Sequence, residues 1–269
     1  MYIFYYLLNY SKISQIHKGG FLGAVIKLSE DFIIEQSIKA SGGTDWCCVS
    51  FSAGKDSIAV FLRLWEKNVF DKFLLVHQYF VPGISFIEDY MDYFCNRFKN
   101  CHLVQSFSPN VTKMITSGTF QDYQTFNANQ ELIEKDIGFF NYGYGQLTDW
   151  ATEGMTGKKR YSAVGVKYSD SVFRLRMARK MVDQNTIIRE DNKAFYPILD
   201  YTKNEVWEII KKHNVKMSKE YEMYGKSLDG LDPVFLIPIK NKFPKDYARI
   251  KEYFPQIDLV EERLKRYGV

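Results

Sequence analysis

Thiols are scarce in this chain and badly placed for metal or redox work. Among 269 residues there are four cysteines, Cys47, Cys48, Cys95 and Cys101, and none follows Cys101. Their spacings fit no zinc motif, and adjacent residues such as Cys47 and Cys48 point to opposite faces of a strand, so buried, reduced thiols are expected. The four histidines, His17, His77, His102 and His213, are dispersed, and no structural metal is expected. Charge of one sign is also lacking: 36 Lys and Arg against 32 Asp and Glu leave only +4, which gives no support to a nucleic-acid partner, so any anion site must be local. The apolar, aromatic stretch Met1 to Leu8 is too short to span a bilayer and lacks the basic start and small-residue cleavage site of a signal peptide. A cytoplasmic chain without membrane contact is therefore expected. No Pro-, Gly- or Ser-rich linker and no internal repeat divides the sequence, which reads as an extension at 1–28 followed by one domain at 29–269. The 19 Tyr and 21 Phe are scattered throughout, as a compositional habit rather than a set of stacking platforms.

What is present is a sequence of apolar runs separated by helical patterns. Ser29-Glu30-Asp31 offers a cap and acidic first turn to a helix that Gly42-Gly43 ends. Trp46 to Val49, Phe73 to His77, His102 to Phe107 and Tyr161 to Val166 read as strands, with amphipathic helices between the first three. Alternation at this spacing implies crossover connections, and hence a doubly wound, mostly parallel α/β sheet with helices on both faces. Ser108 to Arg160 is looser, broken by several glycines, and reads as an insertion or lid or as a surface excursion that only packs. It ends in Lys158-Lys159-Arg160, a triplet of the kind usually solvated. Thr202-Lys203-Asn204-Glu205 is a capping box ahead of a helix, and the part from 218 to 269 is helical, with two helices after Asp232 separated at Phe254-Pro255.

The stretch with the most chemistry is Ser50-Phe51-Ser52-Ala53-Gly54-Lys55-Asp56-Ser57, where the first strand breaks into small residues ahead of a helix. The first turn of a helix leaves N–H groups unpaired and carries the positive end of the helix dipole, so it attracts anions. Small residues admit the phosphates, Ser52 and Ser57 add hydroxyls, and Lys55 adds charge. Asp56 would repel a phosphate unless a cation such as Mg2+ bridged them, or else it caps the helix. A Walker A loop is excluded, because Gly54-Lys55 is followed by Asp56 rather than Ser or Thr. An ordinary strand-to-helix turn is the alternative on these residues alone. A second segment, Gly165 to Arg174, follows the Tyr161 to Val166 run; Arg174 shares a helix face with Met177 and Met181 and is the arginine expected to be half-buried, unless it simply pairs with Asp170.

Three segments in order carry a resemblance. Ser52-Ala53-Gly54-Lys55-Asp56-Ser57 resembles the Ser-Gly-Gly-x-Asp-Ser signature of PP-loop ATP pyrophosphatases, with Ala53 for the first glycine. Gly165, Lys167, Asp170, Ser171 and Arg174 resemble a later segment of the phosphoadenosine phosphosulfate (PAPS) reductase family, with Lys167 and Asp170 as departures. Pro197 to Thr202 with Val206-Trp207 resembles its third element, with Tyr201 for a tryptophan; Val81-Pro82-Gly83 and Glu88 are a weaker match. The chain is thus similar to that family, especially its phage- and mobile-element-type members. The resemblance implies an adenine nucleotide alpha hydrolase-like fold binding ATP or a related adenine nucleotide with Mg2+. It places the phosphates on Ser50, Ser52, Ala53, Gly54, Lys55, Asp56 and Ser57, the adenine near His77, and further contacts at Gly165, Lys167, Ser171 and Arg174. Lys55, Asp56 and Arg174 are the implied catalytic residues and Asp56 the implied metal ligand.

The departure matters for the reaction. The family's reductases use a nucleophilic cysteine near the C-terminus and often an iron–sulfur cluster, but Ser227-Leu228-Asp229-Gly230 and the tail hold no thiol. The expected activity is therefore cleavage of ATP to AMP and pyrophosphate with adenylation of an unknown acceptor, without an iron–sulfur cluster. The alternatives are a sulfonucleotide reductase or sulfotransfer enzyme with its thiol supplied in trans, and a non-catalytic nucleotide-binding subunit acting with a protein partner or as a homo-oligomer.

Overall fold

The computed structural model describes residues 26–111, 128–137, 143–227, 230–259, 262 and 266. Residues 1–25 of the expected extension, and parts of the 108–160 segment and of the tail, lie outside the described residues.

Ser29 caps α1 (Glu30–Ser41), its Oγ accepting from Phe32 N at 3.3 Å, and Gly42 ends the helix at φ 68°. Strands β1 (Trp46–Ser50), β2 (Lys72–Tyr79) and β3 (Cys101–Phe107) follow, joined through α2 (Lys55–Trp65) and α3 (Ser85–Arg97). Then come α4 (Gln130–Ile137) and α5 (Tyr144–Thr156), a short β4 (Ser162–Ala163), a 3-10 turn at Tyr168–Asp170 and α6 (Val172–Asp183). A hairpin of β5 (Ile188–Arg189) and β6 (Ala194–Phe195) precedes α7 (Lys203–Lys212), α8 (Lys219–Tyr224), α9 (Pro233–Lys242) and α10 (Pro244–Tyr253).

The six strands run in the order β3-β2-β1-β4-β6-β5, all parallel except β5 against β6. The chain therefore steps outward from β1 to β3, then returns to the other side of β1 with β4, as a doubly wound α/β fold does. The sheet is buried on both faces. Cys47 and Val49 enter the main core with Phe61 of α2 and Phe94 of α3, whereas Cys48, Leu74 and Val76 face Ala151 of α5. Part of the expected insertion thus packs on the sheet.

One buried ion pair holds the layers together. Arg63, an arginine inside the apolar α2, is 1% exposed and donates to Asp200 at 2.5 Å, Glu30 at 2.6 Å and the Pro197 carbonyl at 2.7 Å. The Asp200 carboxylate also accepts from Leu28 N at 3.3 Å, so the Pro197–Thr202 element is a tether between α1, α2 and the strand before α7. Arg160 departs from the solvated triplet expected of it: its guanidinium is buried against Asp45 at 2.7 Å and the Ser41 carbonyl at 2.6 Å. The Thr202 and Glu205 capping box forms as the sequence indicates. The break between the last helices falls at Phe243, one residue before Pro244, and Pro255 instead opens a 3-10 turn.

Candidate functional site

The loop begins where β1 runs out of partners. Phe51 N still donates to the Val76 carbonyl at 2.9 Å, and the chain then turns through Ala53 at φ 59°, a left-handed conformation that favours glycine. Gly54 precedes α2, and Gly54 N donates to Ser52 Oγ at 3.3 Å while Ser57 Oγ donates to the Gly54 carbonyl at 2.9 Å. The two hydroxyls are 3.4 Å apart, so Ser52 and Ser57 shape the loop from within. A Cβ on Gly54 would meet Ser52 Oγ and Ser227 Oγ, each at 3.1 Å, a tight fit that would press on both hydroxyls. Ser50 sits at the strand's end, partly buried. The site lies at the carboxyl end of β1, where β2 and β4 flank it and the strand order reverses; such switch points are where open α/β sheets bind ligands.

An alternating chain of charges occupies the helix start. Lys55 Nζ bonds Asp56 Oδ2 at 2.7 Å, Lys167 Nζ bonds Asp56 Oδ1 at 2.8 Å, and the same ammonium bonds Asp170 Oδ1 at 2.7 Å. Lys167 comes from 111 residues away and its side chain is 2% exposed, against 21% for Lys55 and 27% for Asp56. Gly165 is what lets it arrive: a Cβ there would lie 2.9 Å from the Asp56 carbonyl carbon and Cβ. Gly165 is thus a close-approach residue between the segment after β4 and the first turn of α2. The donor set does not fit a divalent cation as it stands. Both Asp56 oxygens carry an ammonium, and no group of three His, Cys, Asp or Glu side chains is placed for a metal among the described residues. Asp56 therefore acts here as the partner of two lysines.

Residues of the α8 region close the site from above. Lys55 N, a first-turn amide, donates to the Tyr221 hydroxyl at 3.3 Å, where an anion's oxygen would otherwise accept. Burial and the nearby carboxylates of Asp56 and Glu220 hold the Tyr221 phenol above its ordinary range despite that bond. Glu220, 3% exposed, accepts from Ser218 Oγ at 3.2 Å and lines a small pocket with His77, Gln78, Tyr79, Phe80 and Leu231. The pocket has room for about one water molecule.

His77 links pocket and loop. Its Nδ1 lies 2.9 Å from the Phe51 carbonyl, which can only accept, so Nδ1 carries the proton and Nε2 presents a bare lone pair. That Nε2 is buried with no hydrogen-bond partner. Burial holds the imidazole neutral, with its pKa lowered to about 4, against the smaller opposing effect of the Phe51 bond.

The second segment divides. Lys167 joins the loop, whereas Ser171 is the N-cap of α6, accepting from Arg174 N at 3.2 Å. Arg174 is exposed rather than half-buried, because the buried face of α6 begins only at Ala178; its guanidinium lies 3.9 Å from Met177 Sδ, and Asp170 is engaged by Lys167 instead. Sequence reasoning missed Tyr221, Glu220 and Arg63. Only Arg63 carried a signal, as a lone cation in the apolar run Ile58 to Trp65. The four thiols stand on β1, α3 and β3; burial pushes Cys48 up to about 12 and raises Cys47, Cys95 and Cys101 as well.

No family model matches the chain, and no curated protein does. Solved structures similar to it at low identity include the following three. A PAPS reductase from Candida auris, in complex with phosphate, shares 11% identity at a TM-score of 0.44, over 76% of this chain and 88% of the other. An NH3-dependent NAD synthetase from Campylobacter jejuni shares 13% at 0.42, over 86% and 93%. A U34-tRNA thiolase from Methanococcus maripaludis, with its [4Fe-4S] cluster, shares 13% at 0.41, over 93% and 85%. Likeness at these scores carries no argument about ligand or reaction.

Proposed function

We propose that the chain binds an adenine nucleotide, ATP foremost, and cleaves it between the α- and β-phosphates to transfer AMP to an acceptor. The observation that carries this reading is the loop itself: a strand-to-helix turn at the switch point, with two lysine ammoniums brought together on Asp56 in the first turn of α2. A triphosphate on the loop draws Lys55 away from Asp56 and replaces the Tyr221 hydroxyl at Lys55 N. Lys167 stays in place, fixed by Asp56 and Asp170. The bare His77 Nε2 is an acceptor for the exocyclic amino group of adenine, once the α8 region moves off the pocket that it closes.

In the transfer an acceptor oxygen attacks the α-phosphorus, the bridging bond to the β-phosphate breaks, and pyrophosphate leaves with the electron pair. Charge grows on the leaving group, and Lys55 with the first-turn amides is placed to stabilise it. No side chain of the loop is a free base, which suits an acceptor that is already anionic. Arg174, exposed beside the 3-10 turn, is available to that acceptor. Mg2+ is the usual companion of a triphosphate, but among the described residues no two further carboxylates, thiols or imidazoles stand with Asp56 to hold it.

The test uses calorimetric titration with ATP, GTP and a sulfonucleotide, then α-labelled ATP with Asp56→Asn and Lys55→Met as controls. ATP binding in preference to GTP, with labelled AMP or an adenylate formed only by the intact loop, is expected. Sulfite release from the sulfonucleotide with added thiol would replace this reading with sulfur chemistry, and binding without turnover in every acceptor mixture would leave a nucleotide-binding subunit.

A further inference from the structure

Helix α6 presents cations and apolar groups that the fold does not use. Its sequence, Val172-Phe173-Arg174-Leu175-Arg176-Met177-Ala178-Arg179-Lys180-Met181-Val182-Asp183, holds four cations against one carboxylate, a local excess in a chain whose whole net charge is +4. The buried side is Ala178, Met181 and Val182. On the opposite side Phe173, Arg176 and Lys180 fall at i, i+3 and i+7, with Arg179 beside them and Asp183 as the acid at the far end. Arg176, Arg179 and Lys180 are exposed and enter none of the ion pairs among the described residues. At the helix start, Val172 is 66% exposed and Phe173 is 79% exposed, the highest value among the exposed large hydrophobic side chains described.

We propose that this face of α6 is a docking surface for single-stranded nucleic acid. Two independent features fit that occupant. Guanidinium groups with no carboxylate partner engage phosphate oxygens through two parallel donors, and two of them, Arg176 and Arg179, with the Lys180 ammonium beside them within two turns match a backbone charged at every residue. A phenylalanine ring in water at the edge of the same stripe offers a stacking face to an unpaired base, which a duplex does not offer and an acidic peptide does not need. The surface is also next to the candidate site: α6 opens at Ser171, one residue beyond Asp170, whose carboxylate holds Lys167 against Asp56. The weak net charge of the whole chain is no objection, since the excess is concentrated on one helix. This names the substrate class left open as the acceptor, and in that respect rests on the nucleotide-transferring reading; the docking itself does not.

The test is fluorescence anisotropy with labelled single-stranded RNA and DNA of mixed sequence, a DNA duplex, and polyglutamate as competitor, alongside ATP titration of the same samples. Single strands should bind, with affinity falling about 20-fold between 50 and 200 mM salt for about three phosphates neutralised. Phe173→Ala should weaken binding about tenfold with the salt slope unchanged, and the Arg176→Ala/Arg179→Ala pair should flatten the slope by about two-thirds. Both variants should fold and titrate with ATP as wild type does. RNA and DNA arms tell which backbone is preferred. The proposal is overturned if neither strand binds, if the duplex binds as well and Phe173→Ala changes nothing, or if polyglutamate competes mole for mole with the strand, which would assign the face to an acidic protein. Loss of ATP binding by wild type with strand binding intact would remove the nucleotide reading and leave this surface standing.

Discussion

Gly165→Ala tests the close approach on which the site depends. The added methyl would lie 2.9 Å from the carbonyl carbon and Cβ of Asp56 and 3.1 Å from the Asp56 oxygen. Ordinary contact requires about half an ångström more, and the obstacle is the backbone of the first turn of α2, which cannot rotate aside as a flexible side chain could. Overpacking of this kind costs about 1–3 kcal/mol, or a fall in melting temperature of about 2–10 °C for a chain of this size. The displacement also falls on Asp56, so Lys167 is drawn off its 2.8 Å bond and the first turn of α2 is shifted. ATP affinity should therefore fall about tenfold or more. Gly154→Ala is the matched control: it lies inside α5 with nothing within 4 Å of the new methyl, and should raise stability by about 0.5–1 kcal/mol without touching affinity. Calorimetry and thermal melts of both variants decide the matter. A Gly165→Ala protein that melts and binds like wild type would refute the claim that this contact sets the loop's geometry.

Tyr221→Phe should tighten ATP binding about threefold to tenfold, the worth of one hydrogen bond that the nucleotide no longer has to break at Lys55 N; weaker binding in the same titration would mean that the hydroxyl serves the ligand. His77 should make the fold acid-sensitive: its pKa is lowered from 6.5 to about 4 by burial, so the unfolded chain binds the proton first and stability present above pH 6.5 is lost as pH falls towards 4. Urea midpoints should drop over that window by the equivalent of up to about 3 kcal/mol, and His77→Gln should lose that part of the slope. Arg63→Met leaves Asp200 buried without its ion partner and should cost about 3–5 kcal/mol in the same unfolding assay, whereas a loss under about 1 kcal/mol would show the pair to be dispensable.

What the sequence made legible was local. The Ser29 cap, the Gly42 stop, the Thr202–Glu205 box and the apolar runs of β1 to β3 each show within a few residues, and together they are enough for a parallel sheet and a loop at its carboxyl edge. The contacts that give the loop its charge pattern are not local. Nothing near Lys167 signals Asp56, and nothing near Tyr221 signals Lys55. Periodicity could place Arg174 on the face of Met177 and Met181, yet burial depends on what packs there, and the neighbours begin a turn later at Ala178. The short β4 is legible only as an apolar run, because the close approach at Gly165 is visible solely against α2.

The ion chain at the loop also bears on how the proposed polyanion would enter a closed site. Lys55, Asp56, Lys167 and Asp170 sum to zero, and the desolvation that the almost fully buried Lys167 suffers is offset by the two carboxylates it touches. An arriving triphosphate does not add its charge to that balance at every point. Lys55, the more exposed of the two lysines, can leave Asp56 for the phosphates, while Lys167 keeps the carboxylate neutralised and so prevents the repulsion that a bare Asp56 would exert. The same ligand competes with Tyr221 for Lys55 N. On the proposed reading one residue would exchange both its side-chain and its main-chain partner on binding, and because Tyr221 and Glu220 belong to the same helix, α8, occupancy of the loop would be felt at the pocket beside His77.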